Sequence, residues 1–237
     1  MKYAVFADIH GNLEALSAAI EYSEVHELSH FLVLGDTVGY GANPNECLEW
    51  SFKNAELHIL GNHEAAVTQE KIRWGLVDWA RTAIDWTTER LLPGLIAQIG
   101  HLPYLQTRGN LTLAHGTLHN PEHFDYLMDP EEAHQSFMAS QTTYGFIGHT
   151  HVPCFFVAKG PFGHLKPGVL KLKRGERYLL NPGSIGQPRD RDPRLSFGVF
   201  DPKELTFEIV RLPYDNKKAA QKIISEGLPK FLADRLL

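Results

Sequence analysis

The first 60 residues alternate short apolar runs with longer segments of helical periodicity. The apolar runs Tyr3–Ala7, Phe31–Leu34 and Leu57–Leu60 predict strands. Between them, Leu13–Leu28 has apolar residues at close to helical spacing, and Asn43–Phe52 has a proline near its start. Strands joined by crossover helices pair in parallel. The pattern therefore predicts two tandem crossover units at the start of a parallel sheet.

Beyond this point the chain is first helical and then rich in strands. Residues 63–102 predict helices, and one further helix is predicted at roughly Pro130–Ser140. Eight apolar runs at short spacing, separated by Gly and Pro turns, predict strands: Tyr104–Thr107, Leu111–Ala114, Tyr144–Ile147, Cys154–Ala158, Val169–Leu172, Arg177–Leu180, Leu195–Phe200 and Leu205–Leu212. A second sheet, antiparallel or mixed, is therefore expected.

The end of the chain predicts a small helical extension. Asn216–Leu237 contains two short helical patterns, split at Gly227–Pro229. We find no repeat and no linker, so we expect residues 1–237 to form one domain, with residues 214–237 packed on it. The same helices could instead pack on a partner chain, which leaves a homo-oligomer as an alternative.

Composition and charge limit the class of protein. The hydrophobic set makes up 43% of the 237 residues and charged residues 22%, which is typical of a globular protein. The net charge of −5 argues against a nucleic acid polymer as the partner. No apolar run approaches the ~18 residues of a membrane span, the N-terminal run is too short for a signal peptide, and the two cysteines make no disulfide framework. We therefore expect a cytoplasmic protein that does not bind membranes.

Candidate metal ligands follow five of the apolar runs. Each run ends in Ala or Gly and then in a side chain that can donate oxygen or nitrogen to a metal: Asp8, Asp36, Asn62, His115 and His149. His10 and His151 stand two residues after the first and last of these. In an extended backbone, residues two apart point to the same side, so each pair could bind one centre. Because ligands lie beyond the carboxyl ends of strands in α/β sheets, we expect all seven side chains to converge.

The number and type of donors indicate two metal ions. Seven donors are too many for one ion that must keep a position open, but they suit two ions that share a carboxylate. Mixed nitrogen and oxygen donors suit Mn²⁺, Fe²⁺, Zn²⁺, Co²⁺ or Ni²⁺. Taken singly, each residue also has a structural interpretation, since Asp8 or Asn62 could cap a helix and His115 could be a hydrogen-bonded core residue. Five such positions at strand ends favour the metal site.

These residues form blocks that resemble the signature of the calcineurin-like metallophosphoesterases, in particular the bacterial phosphodiesterase branch grouped with diadenosine tetraphosphatases. The resemblance extends from residue 3 to about residue 200. Its blocks are Asp8-Ile9-His10-Gly11-Asn12, Gly35-Asp36, Gly61-Asn62-His63-Glu64, His115-Gly116 and Gly148-His149-Thr150-His151. It implies an α/β fold, a four-layer αββα sandwich in which two mixed β-sheets lie face to face with helices outside.

The resemblance also implies roles for these residues. One ion would be held by Asp8, His10, Asp36 and His151, and the other by Asp36, Asn62, His115 and His149, with Asp36 bridging. Manganese is the first candidate, with iron, zinc, cobalt, nickel and magnesium as alternatives. His63 would protonate the leaving group, a task that suits imidazole. Since side chains at adjacent positions diverge, His63 would point away from the ion that Asn62 holds.

The protein phosphatases and the symmetrical diadenosine tetraphosphatases of this family carry an Asp-Arg pair shortly after the bridging Asp, and this chain does not. Tyr40 stands where the arginine that binds phosphate is expected. Arg189 and Arg194 in a later loop are candidates to replace that cation. Surface ion pairs with the neighbouring Asp190 and Asp192 are the alternative for these two arginines. Asn12 and, with a weaker case, His119 are further candidates for substrate binding.

We therefore expect a metal-dependent hydrolase. Its substrate would be a phosphodiester, phosphomonoester or phosphoanhydride of a small, nucleotide-type molecule, attacked by a hydroxide that bridges the two ions. Two alternatives come from the same family. A phosphoprotein phosphatase is disfavoured by the missing Asp-Arg pair. A scaffold that kept the fold but lost catalysis is disfavoured because every ligand and His63 are present.

Overall fold

A computed structural model describes all 237 residues and contains two six-stranded mixed sheets. The first sheet joins the beginning of the chain to its end. In the order in which they pair, its strands are β3 (Ala55–His58), β2 (His30–Val33), β1 (Tyr3–Phe6), β11 (Leu195–Asp201), β12 (Thr206–Leu212) and β9 (Gly168–Lys171). β1, β2 and β3 are parallel to one another, and the other three are added antiparallel. The predicted parallel start of the sheet is therefore confirmed.

The second sheet is built from the middle of the chain. Its strands, in pairing order, are β4 (Leu105–Arg108), β5 (Leu111–Ala114), β6 (Tyr144–Phe146), β10 (Tyr178–Asn181), β7 (Cys154–Val157) and β8 (Phe162–His164). β5, β6 and β10 are parallel, whereas β4, β7 and β8 pair antiparallel with their neighbours. This sheet is mixed, as predicted. Three of the eight strands predicted for it, β9, β11 and β12, belong instead to the first sheet, so that part of the prediction is wrong.

Nine α-helices complete the fold. They are α1 (Leu13–Val25), α2 (Pro44–Asn54), α3 (Asn62–Thr68), α4 (Glu70–Gly75), α5 (Asp78–Arg90), α6 (Pro93–Ile99), α7 (Pro130–Ala139), α8 (Asn216–Ser225) and α9 (Lys230–Asp234). Several begin where the sequence supplies a helix start: Asn12 accepts a hydrogen bond from the N–H of Ala15, and Asp129 accepts from two N–H groups of α7. None of the nine has both the length and the apolar content that crossing a bilayer requires.

Alternating side chains of the strands create the layers. On β1, Val5 points into a core between the two sheets, where it joins Phe146 of the second sheet. Phe6 points the other way, into a core between the first sheet and helices α1 and α2. On the far side of the second sheet, Phe137 of α7 packs on Phe156. Helix, sheet, sheet and helix thus form four layers, and the predicted αββα sandwich is confirmed.

Two strands differ from the prediction. β3 ends at His58, whereas the apolar pattern predicts a strand that continues to Leu60. The N–H of Leu60 donates instead to the carbonyl of Pro103, 2.8 Å away, so the chain is already leaving the sheet. Ile59 and Leu60 are nevertheless buried, because apolar character reports burial rather than pairing. The edge strand β8 was not predicted, since its three residues contain one exposed phenylalanine and no apolar run.

The last two helices pack beside α1 and α5. Residues of α8 and α9, including Ile223 and Leu232, share an apolar cluster with Tyr40 and with Ala83 of α5. The indole N–H of Trp86 donates to the carbonyl of Glu226, 3.0 Å away. These contacts bring the C-terminal segment beside the loop that follows β2.

Candidate metal centre

The seven predicted donors lie together at one end of the two facing sheets. Asp8 and Asp36 follow β1 and β2 of the first sheet, whereas His115 and His149 follow β5 and β6 of the second. All seven side chains are buried: Asp8, His10, Asp36, Asn62, His115, His149 and His151. Donors from both sheets therefore meet beyond the carboxyl ends of parallel strands.

The backbone turns sharply at most of these donors. Five of them have φ between 51° and 66°: Asp8, His10, Asp36, His149 and His151. Such angles are uncommon for residues with a Cβ and are concentrated at functional sites. The assumption that each pair of donors two apart lies on an extended backbone is therefore wrong. The pairs still converge, because left-handed turns direct both side chains into the site.

Two glycines leave the space in which the donors meet. A Cβ on Gly61 would overlap the backbone nitrogen and the carboxylate of Asp36. A Cβ on Gly39, whose φ is 82°, would overlap the imidazole ring of His63. The small residues of the motif thus allow close approach between neighbouring loops, as the sequence predicts.

The first group of donors consists of Asp8, His10, Asp36 and His151. Their ligand atoms all lie within 4.8 Å of one another. Nε2 of His10 is 3.7 Å from Oδ2 of Asp36, and Nε2 of His151 is 3.4 Å from Oδ1 of Asp8. Two carboxylates and one imidazole from loops of the first sheet, and one imidazole from a loop of the second, therefore surround one point.

The second group shares Asp36 with the first. Asp36, His115 and His149 also offer ligand atoms within 4.8 Å of one another. Nε2 of His115 lies 3.3 Å from Oδ2 of Asp36 and 3.2 Å from Oδ1 of Asn62. The two groups thus overlap at one carboxylate.

The tautomers of the histidines fit a bound cation. Nδ1 of His10 donates to the carbonyl of Val38 at 3.1 Å, and Nδ1 of His151 donates to that of Gln187 at 2.6 Å. In the neutral rings Nε2 is then the atom with the lone pair, and the two Nε2 atoms face each other at 3.1 Å. Opposed lone pairs at this distance repel unless a cation lies between them. Metal-binding histidines commonly use their second nitrogen in this way.

The charges of the site also fit a cation. Two carboxylates, Asp8 and Asp36, are buried, and the only ionisable nitrogens within 4 Å of them belong to histidine rings. Burial, together with the nearby Asp36, raises the pKa of Asp8 to about 8. Burial alone would lower the pKa of His115, but Asp36 and Asp8 raise it to about 9. Without a metal, the cluster therefore holds protons in the place of a cation.

A further buried carboxylate orders the loop that carries Asp36. Glu64 accepts hydrogen bonds from the backbone N–H groups of Asp36 (2.8 Å), Thr37 (2.6 Å), Val38 (3.0 Å) and Gly61 (3.0 Å). Its two oxygens thus each accept two bonds. Because Glu64 lies on α3 beside Asn62, it joins the loops that carry both donors.

A cavity of about 570 Å³ opens onto the donors. His63 lines it, with Nε2 3.9 Å from Oδ2 of Asp36, and its ring packs edge-on against the rings of Tyr40 and His10. Burial lowers the pKa of His63 to about 4. The expectation that His63 points away from the ion at Asn62 assumed an extended backbone, whereas Asn62 and His63 open a helix. His63 lies beside the donors but in neither group.

Two arginines line the same cavity. Arg189 has a buried Nε with no hydrogen-bond partner. Arg235, at the end of α9, donates to the side-chain oxygen of Gln187 at 3.2 Å and stacks on the rings of Trp79 and Phe231. Neither arginine has a carboxylate oxygen within 4 Å, although Glu122 also lines the cavity. Both cations are therefore free to meet an anion.

The other predicted substrate contacts lie elsewhere. Arg194 forms two hydrogen bonds with Asp192, at 3.0 and 2.7 Å, in the surface ion pair that was the alternative interpretation. His119 contacts Ser136 on α7 and does not line the cavity. Asn12 uses its amide to cap α1 and to donate to the carbonyl of Gly186. Its side chain therefore organises the first loop rather than facing the cavity.

Three residues at the site were not predicted: Glu64, Tyr126 and Arg235. Glu64 had a signal, because a Glu two residues after the helix start is the position that completes a capping box. Tyr126 stacks on the ring of His149, with ring centres 4.1 Å apart and planes 9° apart. Neither Tyr126 nor Arg235 belongs to a motif, so only the folded chain reveals them.

Known proteins with similar sequences and structures identify the family of the chain. The sequence profile of the calcineurin-like phosphoesterase superfamily domain matches residues 1–205. The structure of a metallophosphoesterase from Sphaerobacter thermophilus superposes with a TM-score of 0.90 at 33% identity, covering 100% of this chain and 98% of that one. An uncharacterized protein of Methanocaldococcus jannaschii is 36% identical over 98% of this chain and 96% of its own length.

A relative of described activity lies further away. The phosphodiesterase YfcE of Escherichia coli K12 is 25% identical over 85% of this chain and 88% of its own length. The matched region of the profile contains the whole set of donors and His63. The resemblance noted in the sequence is thus confirmed: the chain belongs to the calcineurin-like phosphoesterase superfamily and is a metal-dependent phosphoesterase.

Proposed function

We propose that this enzyme binds two divalent transition-metal ions and hydrolyses a phosphodiester of a small, nucleotide-type molecule. One ion would be held by Asp8, His10, Asp36 and His151, and the other by Asp36, Asn62, His115 and His149. The observation that carries the proposal is the overlap of two buried donor groups at the carboxylate of Asp36. Manganese is the first candidate for both positions, since mixed nitrogen and oxygen donors suit it, and iron, zinc, cobalt, nickel and magnesium are alternatives.

Two features favour a diester over a monoester or an anhydride. The relative with a described activity, YfcE, is a phosphodiesterase. The cavity of about 570 Å³ has the size of small-molecule sites, and aromatic residues such as Trp79 and Tyr126 line it beside the arginines. A diester has an organic group on each side of phosphorus, so its organic groups could contact the aromatic residues while its phosphoryl oxygens contact the arginines.

Metal ions bound at the donors supply Lewis-acid chemistry, namely activation of water and neutralisation of charge on the phosphoryl group. His63 is the proposed general acid, which delivers a proton to the leaving oxygen. An anionic phosphoryl group beside its ring raises the pKa that burial has lowered, and so favours the protonated ring at the moment of use. Arg189 and Arg235 would bind the phosphoryl oxygens through charge-assisted hydrogen bonds.

A hydrolysis panel tests the reaction. Metal-free protein would be reloaded with each divalent ion in turn and offered a bis-aryl phosphodiester, an aryl monoester, a cyclic nucleotide, a dinucleoside polyphosphate and a phosphopeptide. We expect hydrolysis of the diester, strongest with Mn²⁺, and none in excess chelator. Preference for the phosphopeptide would instead support a phosphoprotein phosphatase. Full activity in chelator would contradict the metal-dependent reaction.

The role of His63 has its own test. His63→Ala should leave the metal content unchanged, because His63 belongs to neither donor group. It should lower turnover by roughly 10²–10⁴ on substrates with poor leaving groups and much less on a p-nitrophenyl ester, whose leaving group needs little protonation. Equal effects on both substrates would remove His63 from the role of general acid.

A further inference from the structure

A second cavity of about 350 Å³ lies beside the metal centre. Its walls come from β7, from β8 and from the loop around residue 127, and most of its lining is apolar. Phe156 is buried at its base, and Phe162 lies at its mouth, where 51% of the residue is exposed. The two rings are nearly parallel, 5.7 Å apart. We call this cavity the side groove.

The side groove adjoins the cavity over the donors. Arg189 and Tyr126 line both. The ring of Tyr126 stacks on that of His149, so a residue of the groove wall contacts the second donor group. Arg189 stands at the same boundary, with its buried Nε unpartnered. A buried donor of this kind is costly unless a ligand supplies the acceptor.

We propose that the side groove binds the aromatic ester group, an aryl or nucleobase ring, of a phosphodiester whose phosphorus lies over the donors. This proposal rests on the function proposed above and names the part of the substrate that the enzyme selects. A benzene-sized ring needs a cavity of about 150 Å³, so the groove has room for one ring with its linking atoms. Phe156 and Phe162 offer flat apolar surfaces on which such a ring can stack.

The position of His63 decides which ester group occupies the groove. His63 lines the cavity over the donors but not the groove. The group in the groove is therefore the one that the product keeps. Water oxygen forms a bond to phosphorus, the bond from phosphorus to the other ester oxygen breaks, and His63 gives that oxygen its proton, while a proton of the water leaves to solvent. The products are an alcohol and a phosphomonoester that carries the aromatic ring.

Two substrates with the same leaving group test the groove. We would compare phenyl p-nitrophenyl phosphate with methyl p-nitrophenyl phosphate, each rate corrected for its rate in hydroxide alone. We expect kcat/KM at least about tenfold higher for the phenyl ester, since small differences in apolar contact already discriminate at this level. Phe162→Ala should lower the ratio of kcat/KM for the phenyl ester to kcat/KM for the methyl ester, and Phe162→Leu should lower it less. Trp74→Ala, an exposed aromatic residue outside both cavities, is the matched control and should leave both rates unchanged.

A binding measurement separates this proposal from the proposed function. Phenylphosphonate and methylphosphonate would be titrated calorimetrically into the metal-loaded enzyme and into Phe162→Ala. Tighter binding of phenylphosphonate that is lost in Phe162→Ala supports the groove. Equal affinity for the two phosphonates, or equal kcat/KM for the two esters, overturns it while the phosphoesterase stands. Failure to hydrolyse either ester with any metal contradicts the proposed function, and the phosphonate titration then still decides the groove.

Discussion

A single buried carboxylate, Glu64, organises the loops that carry the donors. Four backbone N–H groups point at its two oxygens, and none of them has a place in a helix or sheet ladder that could replace the bond. Asp36 takes a left-handed backbone conformation just where these bonds converge. The hydrogen bonds to Glu64 therefore offset the conformational free-energy cost of the left-handed backbone at Asp36. Glu64 influences the metal site only through the loop that it holds in place.

Glu64→Gln tests this role. The amide keeps one accepting oxygen and presents an NH₂ group to two N–H donors, so we expect the free energy of unfolding to fall by at least about 2 kcal/mol. Mn²⁺ affinity should fall roughly 10–100-fold, as for other residues that orient ligands. Urea denaturation and metal titration measure the two effects. Glu46→Gln, an exposed residue of α2, should change stability by no more than about 0.5 kcal/mol.

His58 gives the stability of the protein a dependence on pH. It is buried outside the donor set, and burial lowers its pKa to about 3. In the unfolded chain its pKa is near 6.5, so the unfolded state binds the extra proton between pH 6.5 and pH 3. Stability is therefore fully present above pH 6.5 and is lost as the pH falls through this window.

Replacing His58 should flatten this dependence. Between pH 7.5 and 5.5, we expect the wild type to lose about 1.4 kcal/mol more of its free energy of unfolding than His58→Gln does. Denaturation of metal-free protein at the two pH values, with each variant compared with itself, measures the difference. Equal losses in the two proteins would show that His58 is protonated in the folded state as readily as in the unfolded one.

The sequence predicted donors better than it predicted their supports. A donor such as His115 follows an apolar run and a small residue, so local pattern and the geometry of parallel strands suffice to place it. Tyr126 and Arg235 reach the site through contacts between distant segments, which no local pattern records. Arg194 was predicted to bind substrate but does not line the cavity. Its guanidinium donates instead to Asp192, a carboxylate of the same loop.

Among the elements, α9 has the clearest link to the site. It lies beyond the region that the family profile covers, yet Arg235, directly after its last residue, lines the cavity and stacks on the rings of Trp79 and Phe231. In this chain Tyr40 occupies the place where the family resemblance leads one to expect an arginine. We infer that Arg235, next to the C-terminal helices, supplies the positive charge that the missing arginine would have given the site. We therefore propose that residues 1–237 act as one unit.

Arg235→Gln should raise KM about tenfold or more and change kcat much less, because the lost charge-assisted bond contributes to substrate binding. Arg235→Lys should recover part of the affinity. The inhibition constant of inorganic phosphate provides an independent measure. Lys230→Gln removes a charge from the same helix at an exposed ion pair and should leave KM unchanged. A tenfold effect from Lys230→Gln as well would indicate loss of the helix rather than loss of a phosphate contact.

Elements were predicted well where burial and pairing coincide and poorly where they separate. β1 and β5 are buried throughout or nearly so, and their apolar runs match their observed bounds to within one residue. Ile59 and Leu60 are buried but lie beyond the last residue of β3, and only Ile59 still donates a hydrogen bond to β2, so the prediction placed β3 two residues too late. β8 is paired but exposed, so its sequence carried no signal. The hydrophobic pattern of a sequence reports burial but not strand pairing.

At the scale of the whole molecule, the candidate metal centre joins the two sheets. Asp8 and Asp36 belong to loops of the first sheet, and His115 and His149 to loops of the second. The N–H of His149 already donates to the carboxylate of Asp8, at 3.2 and 3.1 Å from its two oxygens. Cations held between these loops would add bonds that exist only in the folded chain. Metal binding should therefore stabilise the fold as well as enable the reaction.

Removal of metal should accordingly lower the melting temperature. A ligand present at 100 times its Kd stabilises the folded state by about 2.7 kcal/mol, and each kcal/mol corresponds to about 2–4 °C for a chain of this size. We expect chelation to lower Tm by about 5–11 °C and Mn²⁺ to restore it, as measured by scanning calorimetry. In His149→Ala the shift should be smaller, because one donor of the second group is lost. His134→Ala, an exposed histidine on α7, should keep the full shift. Equal melting temperatures with and without chelator would mean that the donors do not hold a cation between the sheets.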